Sequence, residues 1–167
     1  MENTKKLTKL ALLTAVAIVL SIAESWLPPL APIVGMKIGI ANIITLVTLI
    51  WYGSKEALAV LFTRILLSSI YGGQMVSLAY SLAGGFCCFI VMSILYRFIK
   101  EIWVVSVFGA LAHNIGQVIM AMIITSTWEV VSYLLILEIV ALITGTLTGL
   151  VATRVIKHNF VKVSSKS

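Results

Sequence analysis

Long apolar runs separated by short polar breaks dominate the sequence, and their lengths are typical of membrane-spanning helices. A hydrocarbon core of ~30 Å needs about 20 helical residues, so the second and third runs are short for a span. Short helices of this kind usually lie beside a re-entrant loop or a water-filled cavity. The pattern predicts an all-α integral membrane protein with a single six-helix transmembrane domain over residues 1–167. The expected helices are Leu7–Leu27, Lys37–Tyr52, Ala57–Tyr71, Met75–Phe98, Val104–Ile124 and Val130–Ile156.

Composition and charge agree with this assignment. The chain is 60% hydrophobic and 11% charged, whereas soluble domains carry about 25% charged residues. If the N-terminus is cytoplasmic, ten of the twelve Lys and Arg residues are cytoplasmic too, as the positive-inside rule requires. We therefore expect a multi-pass protein of the cell membrane with both termini inside. The two exceptions are Lys37, in the first outer loop, and Arg64, inside the third helix.

The first apolar run has a second interpretation. It follows three lysines and ends in Ser21-Ile22-Ala23, which resembles a signal-peptide cleavage site. The run continues apolar to Leu27 and carries small residues at packing intervals, which favours a retained helix. Cleavage would leave the later topology unchanged.

The acidic residues and the motifs argue against several classes of enzyme. All six acidic residues are glutamates, so the chain has no Asp-rich magnesium site. It also lacks the phosphate-binding loop, the H-E-x-x-H zinc helix and the G-x-S-x-G elbow. Cys87 and Cys88 are adjacent and give neither a disulfide framework nor metal-ligand spacing. We expect no catalytic residue, no metal and no resident cofactor, and a role in binding or conducting a small molecule.

Polar side chains from four helices are expected to meet in the outer half of the membrane. At a rise of about 1.5 Å per residue, they lie ~8 to ~15 Å below the outer ends of their helices. Charged groups in the bilayer core need a partner or a cavity, so this layout predicts a polar cup that opens outward. The residues are Asn42, Arg64, Asn114, Gln117 and Glu138, with His113 on the same helical face as Asn114 and Gln117.

Each of these residues also has a purely structural interpretation. Arg64 and Glu138 could form an ion pair between the third and sixth helices, although an Arg in such a pair keeps spare donors. His113 could be a hydrogen-bonded core residue, and Asn42 and Gln117 could join helices.

The segment after the first helix points to an anionic ligand. It holds all three prolines and leads into Gly35-Met36-Lys37-Ile38-Gly39. Glycines there permit close approach of the backbone, and the N-terminus of the next helix favours anions. Lys37, with Arg64 below it, suggests a ligand with phosphate or carboxylate groups. Alternatively, Lys37 extends to the lipid headgroups.

Small residues recur at intervals of four on two helices, a spacing that lets backbones approach closely. The first helix has Ala11-x-x-x-Ala15, which could face either the bundle or another protein. On the sixth helix the small residues share a face with Glu138, and this face is expected inside the bundle. They are Ala141, Gly145, Gly149 and Thr153.

Three segments carry a family resemblance. They are Gly35–Ile43 (GMKIGIANI), Tyr80–Gly85 (YSLAGG) and Gly109–Gln117 (GALAHNIGQ). They resemble the Gx transporter family, often labelled heptaprenyl diphosphate synthase component I, and the match runs in order from about Ala11 to Arg154. That family is similar to the S-components of energy-coupling factor transporters, which have six helices and an outward cup capped by the first loop.

The resemblance implies partners and a cargo. In S-components an Ala-x-x-x-Ala seam docks the transmembrane scaffold subunit, and Ala11 and Ala15 match it. Two ATPase subunits complete such a complex, which fits the missing phosphate loop here. Some family members accompany flavin-handling systems, so the resemblance makes FMN or FAD the leading substrate, with no nucleic-acid partner. The hypothesis is an S-component that binds a small anionic, vitamin-like molecule and reorients within an ATPase-driven complex.

This hypothesis gives each polar residue a role. Lys37 and Arg64 attract the anion, while Asn42, Asn114 and Gln117 supply hydrogen bonds. His113 supports them, and Glu138 holds Arg64 in place.

The family label names an enzyme instead. Prenyl-chain synthesis uses Asp-rich motifs to hold magnesium against a diphosphate, and this chain has no aspartate. The alternative is therefore an accessory membrane subunit of a polyprenyl (heptaprenyl) diphosphate synthase, in which the same cup holds a lipid diphosphate. A purely structural membrane scaffold is a third possibility.

Overall fold

The structure, a computed structural model, describes residues 2–27, 37–71 and 75–164. Within these ranges the chain forms six α-helices and no strand, which confirms the all-α prediction. A short 3₁₀ helix, Glu129–Tyr133, precedes the last one. The helices are α1 (Glu2–Ser25), α2 (Asn42–Tyr52), α3 (Ser54–Tyr71), α4 (Met75–Phe98), α5 (Ile102–Thr125) and α6 (Leu134–Ser164).

Four of these helices are long and apolar enough to cross a membrane: α1, α4, α5 and α6 with its preceding turn. α2 has 11 residues, which extend only ~16 Å. α3 has 18 residues, but Lys55, Glu56 and Arg64 interrupt its apolar surface. The prediction of six helices is confirmed, and the prediction of six spans is confirmed for four of them. The composition is that of a multi-pass membrane protein.

The six helices pack together as a bundle. α5 lies between α4 and α6, while α1 packs against α2 and α3. α2 contacts all five other helices and is therefore central. α5 and α6 are antiparallel, because Trp103 lies beside Gly149 while Asn114 lies beside Leu137. α1 and α3 are parallel: Lys6 forms a salt bridge with Glu56 near their starts, and Ser21 contacts Ser68 near their ends.

Glycines let α6 pack directly on the backbone of α5. A Cβ atom added at Gly145 would lie 2.8 Å from the Cα of Val107, and one added at Gly149 would lie 2.6 Å from the Cα of Trp103. Ala141, on the same face, is also buried. The predicted small-residue face of α6 therefore lies inside the bundle. The seam on α1 differs, because Ala11 and Ala15 are exposed.

α2 begins at Asn42, five residues later than predicted. Gly39 has a φ of 89°, a left-handed conformation that an α-helix through this position does not allow. Residues 37–41, the 37–41 segment, are therefore non-helical backbone. They lie beside Arg64, which is ~10 Å below the end of α3. Such backbone is tolerated at membrane depth only where protein or a cavity surrounds it, so its hydrogen bonds need partners.

Candidate functional site

Polar side chains from α1, α2, α3 and α5 surround the 37–41 segment. We call them, with Lys37, the polar cluster. Lys37 is partly exposed and the other members are buried. Five of the seven predicted binding residues are among them and lie together. The members of the polar cluster are Ser21, Glu24, Lys37, Asn42, Arg64, Ser68, His113 and Gln117.

Gln117 holds the 37–41 segment from the α5 side. Its Oε1 accepts a hydrogen bond from the backbone N–H of Lys37 at 2.9 Å, and its Nε2 donates to the carbonyl oxygen of Lys37 at 2.6 Å. The side-chain amide thus satisfies both backbone polar groups of one residue. Gln117 is 2% exposed, so these groups are paired in a place with little access to water.

Glu24 holds the same segment from the α1 side. Its Oε1 accepts hydrogen bonds from the backbone N–H of Gly39 and from that of Ile40, the latter at 3.1 Å. The N–H groups of residues 42–44 bond to the carbonyl oxygens of residues 39–41. These backbone donors at the start of α2, where the sequence predicted an affinity for anions, are therefore filled by the protein's own groups.

Arg64 is 4% exposed and makes one side-chain hydrogen bond in the cluster. Its Nη2 donates to Asn42 Oδ1 at 2.8 Å. Arg64 Nε and Asn42 Nδ2 are buried and find no hydrogen-bond partner among the described residues. The charge of Glu24 acts on Arg64 from beyond salt-bridge distance. The guanidinium is thus oriented by an amide and retains donor capacity.

Lys37 points into the bundle. Its Nζ donates to Ser21 Oγ at 3.3 Å, and Ser21 Oγ donates to Ser68 Oγ at 3.2 Å. The Lys37 ammonium therefore contacts Ser21 and does not extend toward the lipid headgroups, contrary to the alternative interpretation.

His113 is packed between two glycines. A Cβ atom at Gly39 would lie 3.0 Å from its Cδ2, and a Cβ atom at Gly84 would lie 2.9 Å from its Cε1. The residue is 3% exposed, and neither ring nitrogen has a hydrogen-bond partner in the part of the chain that is described. His113 is thus a tightly packed core residue, and the interpretation that it is hydrogen-bonded there stays a prediction.

Asn114 and Glu138 do not belong to the polar cluster. Asn114 Nδ2 donates to the carbonyl oxygen of Leu137 at 2.7 Å and thereby joins α5 to α6. The predicted pair between Arg64 and Glu138 is wrong, because α3 packs on α1, α2 and α4 and, over the described ranges, not on α6. Asn42 takes the orienting role that was assigned to Glu138. The Glu138 carboxylate has no hydrogen-bond partner among the described residues.

Glu24, the cluster's one carboxylate, was not among the residues predicted from the sequence. A signal was present, because Glu24 is the only ionisable residue between Lys9 and Lys37. An isolated charge near the end of an apolar helix needs a partner. Its partners are two backbone N–H groups, which the pattern of side chains does not reveal.

The charges of the polar cluster do not balance. Lys37 and Arg64 are cations and Glu24 is the one acid, so the cluster carries one net positive charge when all three are ionised. A buried charge without compensation costs several kcal/mol, on the order of 3–5 kcal/mol when a partner is removed. A phosphate or carboxylate compensates such a charge with strong hydrogen bonds.

The comparison with protein families agrees with the resemblance noted in the sequence. Residues 13–155 match the family model described as heptaprenyl diphosphate synthase component I, a range that includes every member of the polar cluster. No curated protein and no solved structure matches the chain. The chain belongs to the heptaprenyl diphosphate synthase component I family.

Proposed function

We propose that this protein is a membrane-embedded binding subunit for a small anionic molecule. The observation that carries the proposal is the polar cluster, in which two cations and one carboxylate are gathered around non-helical backbone at membrane depth. A scaffold with no ligand gains nothing from an unbalanced positive charge there, since burial of the charge is costly.

The donors of the cluster match an oxyanion. Arg64 Nε and Asn42 Nδ2 are buried and have no hydrogen-bond partner among the described residues. Phosphate oxygens accept several hydrogen bonds at once, and Arg is well suited to bind them. The phosphate of FMN, or of FAD, fits this chemistry.

Within this proposal the protein is the S-component of an energy-coupling factor transporter. Ala11 and Ala15 are exposed on α1, which leaves the predicted docking seam accessible to a scaffold subunit. Two ATPase subunits would drive reorientation of the loaded protein. Lys37 and Arg64 would attract the anion, with hydrogen bonds from Asn42 and His113.

A second candidate is an accessory membrane subunit of a polyprenyl diphosphate synthase. The family description favours it, because the description names a component of such an enzyme. The diphosphate of a prenyl lipid would occupy the same cluster. Catalysis would lie on a separate subunit, since the chain has no aspartate to hold magnesium.

A binding titration tests both candidates. The full chain in lipid nanodiscs would be titrated with FMN, FAD and heptaprenyl diphosphate. Loss of the guanidinium in Arg64→Gln removes a charge-assisted interaction of about 1.5–3 kcal/mol, so the affinity should fall roughly 10- to 150-fold. Arg97→Gln is the matched control, because Arg97 is exposed at the end of α4 and should bind as the wild type does.

The outcomes separate the candidates. Arg64-dependent binding of a flavin, with co-purification of ATPase subunits that is lost in Ala11→Leu/Ala15→Leu, supports the transporter. Binding of heptaprenyl diphosphate without flavin binding supports the synthase subunit. If none of the three compounds binds, the proposal of an anion-binding protein is refuted.

A further inference from the structure

The carboxylate of Glu24 occupies the position in which an anion is expected. Its Oε1 receives two consecutive backbone N–H groups, those of Gly39 and Ile40, directly before α2. Successive N–H groups that converge beside a left-handed residue form an anion-binding concavity, and Gly39 supplies that conformation. The dipole of α2 adds to the attraction at this end of the helix.

The donors around Glu24 are not satisfied by it. Arg64 Nε and Asn42 Nδ2 are buried and have no partner among the described residues. These residues are 4% and 8% exposed, so water does not readily replace a missing acceptor. The site therefore holds more donors than one carboxylate oxygen uses.

We infer that Glu24 is an internal anion, which a phosphate or carboxylate group of the ligand displaces from the N–H groups of Gly39 and Ile40. This inference rests on the proposed function. The incoming oxyanion takes the two backbone donors and also accepts from the buried donors that Glu24 leaves unused. Glu24 lies at the last turn of α1, where Ser25 ends the helix, so its side chain can leave the site without disrupting the body of that helix.

If the ligand displaces Glu24, the two compete for the same backbone N–H groups. Removing the charge of Glu24 should then increase the affinity for the ligand. Glu24→Gln keeps an amide oxygen for the two N–H groups and removes the negative charge that repels the ligand. FMN and heptaprenyl diphosphate should bind this variant more tightly than the wild type, by on the order of tenfold. If Glu24 only supports the 37–41 segment, Glu24→Gln should bind these compounds as tightly as the wild type or more weakly. Glu56→Gln is the control, because Glu56 pairs with Lys6 at the other end of the bundle.

A second variant covers the case in which Glu24→Gln does not fold. Glu24→Ala leaves the two N–H groups without an acceptor and should be less thermally stable than the wild type. Inorganic phosphate should raise its unfolding temperature more than that of the wild type, because the ion replaces the missing carboxylate. Equal or smaller stabilisation by phosphate overturns the inference.

Different results would refute the proposed function and the displacement of Glu24. If none of FMN, FAD and heptaprenyl diphosphate binds the wild type or Glu24→Gln, the proposed function is refuted. If the wild type binds one of these compounds and folded Glu24→Gln binds it no more tightly, only the displacement by the ligand is refuted.

Discussion

Replacing Gln117 by leucine should loosen the 37–41 segment without creating a large cavity. Leucine is similar in size but offers no partner to the N–H and carbonyl groups of Lys37, which the amide binds at 2.9 and 2.6 Å. Hydrogen bonds between membrane helices average about 0.6 kcal/mol and reach about 1.7 kcal/mol. A buried polar group left unpaired costs about 1–3 kcal/mol. For two bonds with one partly exposed partner, we expect the free energy of unfolding to fall by about 1–4 kcal/mol.

Reversible unfolding of the full chain in mixed micelles, followed by circular dichroism, measures this change. Ser69→Ala is the matched control: Ser69 is 2% exposed, yet its hydroxyl has no hydrogen-bond partner in the described residues. It removes a buried, unpaired hydroxyl without breaking a hydrogen bond, so the free energy of unfolding should not fall and should rise by up to about 1–3 kcal/mol. A Gln117→Leu variant that behaves like this control would refute the view that Gln117 anchors the segment.

Three further substitutions test the packing and the boundary of the site. Gly149→Leu should destabilise the protein by about 1–3 kcal/mol in the same unfolding assay, because even a Cβ atom would lie 2.6 Å from a Cα of α5; an unchanged midpoint contradicts this. Asn114→Leu should cost about 1 kcal/mol through the lost bond to Leu137 but leave FMN affinity unchanged, and a large loss of affinity would place Asn114 in the site. Glu138→Gln should not alter anion affinity, since Glu138 does not pair with Arg64; weaker binding would restore the role that the sequence suggested.

Much of the fold could be predicted from the sequence because membrane helices leave a strong signal. The lengths of the apolar runs predicted all six helices. Small residues spaced four positions apart identified the face of α6 that packs on α5. These features depend on helical periodicity and on transfer of side chains into lipid, both of which act locally along the chain.

The site could be predicted only in part, because part of it consists of backbone. Counting residues from the outer end of each predicted helix placed Arg64, Asn42 and Gln117 at similar depths. The structure brings them together around the 37–41 segment. Depth does not determine which helices are neighbours, so Glu138 was paired wrongly with Arg64. The roles of Glu24 and Gln117 depend on bonds to backbone groups, which any residue can supply and which no pattern of side chains reveals.

Hydrogen bonds to backbone groups also explain why α2 starts later than predicted. The apolar run from Ile38 continues into the helix, so hydropathy alone extends the helix back to Lys37. Gly39 permits the left-handed turn, and the bonds from Glu24 and Gln117 stabilise it. Tertiary hydrogen bonds thus override a local preference for helix at this position.

Native mass spectrometry of the intact chain released from nanodiscs tests most directly whether the polar cluster is an anion-binding site. Wild-type protein incubated separately with FMN, FAD and heptaprenyl diphosphate should appear as a one-to-one complex with at least one of them, and Arg64→Gln should appear mainly as the free chain at the same concentration. Equal occupancy in the wild type and in folded Arg64→Gln, or no complex with any of the three compounds, would contradict the proposal that the buried positive charge binds an anion.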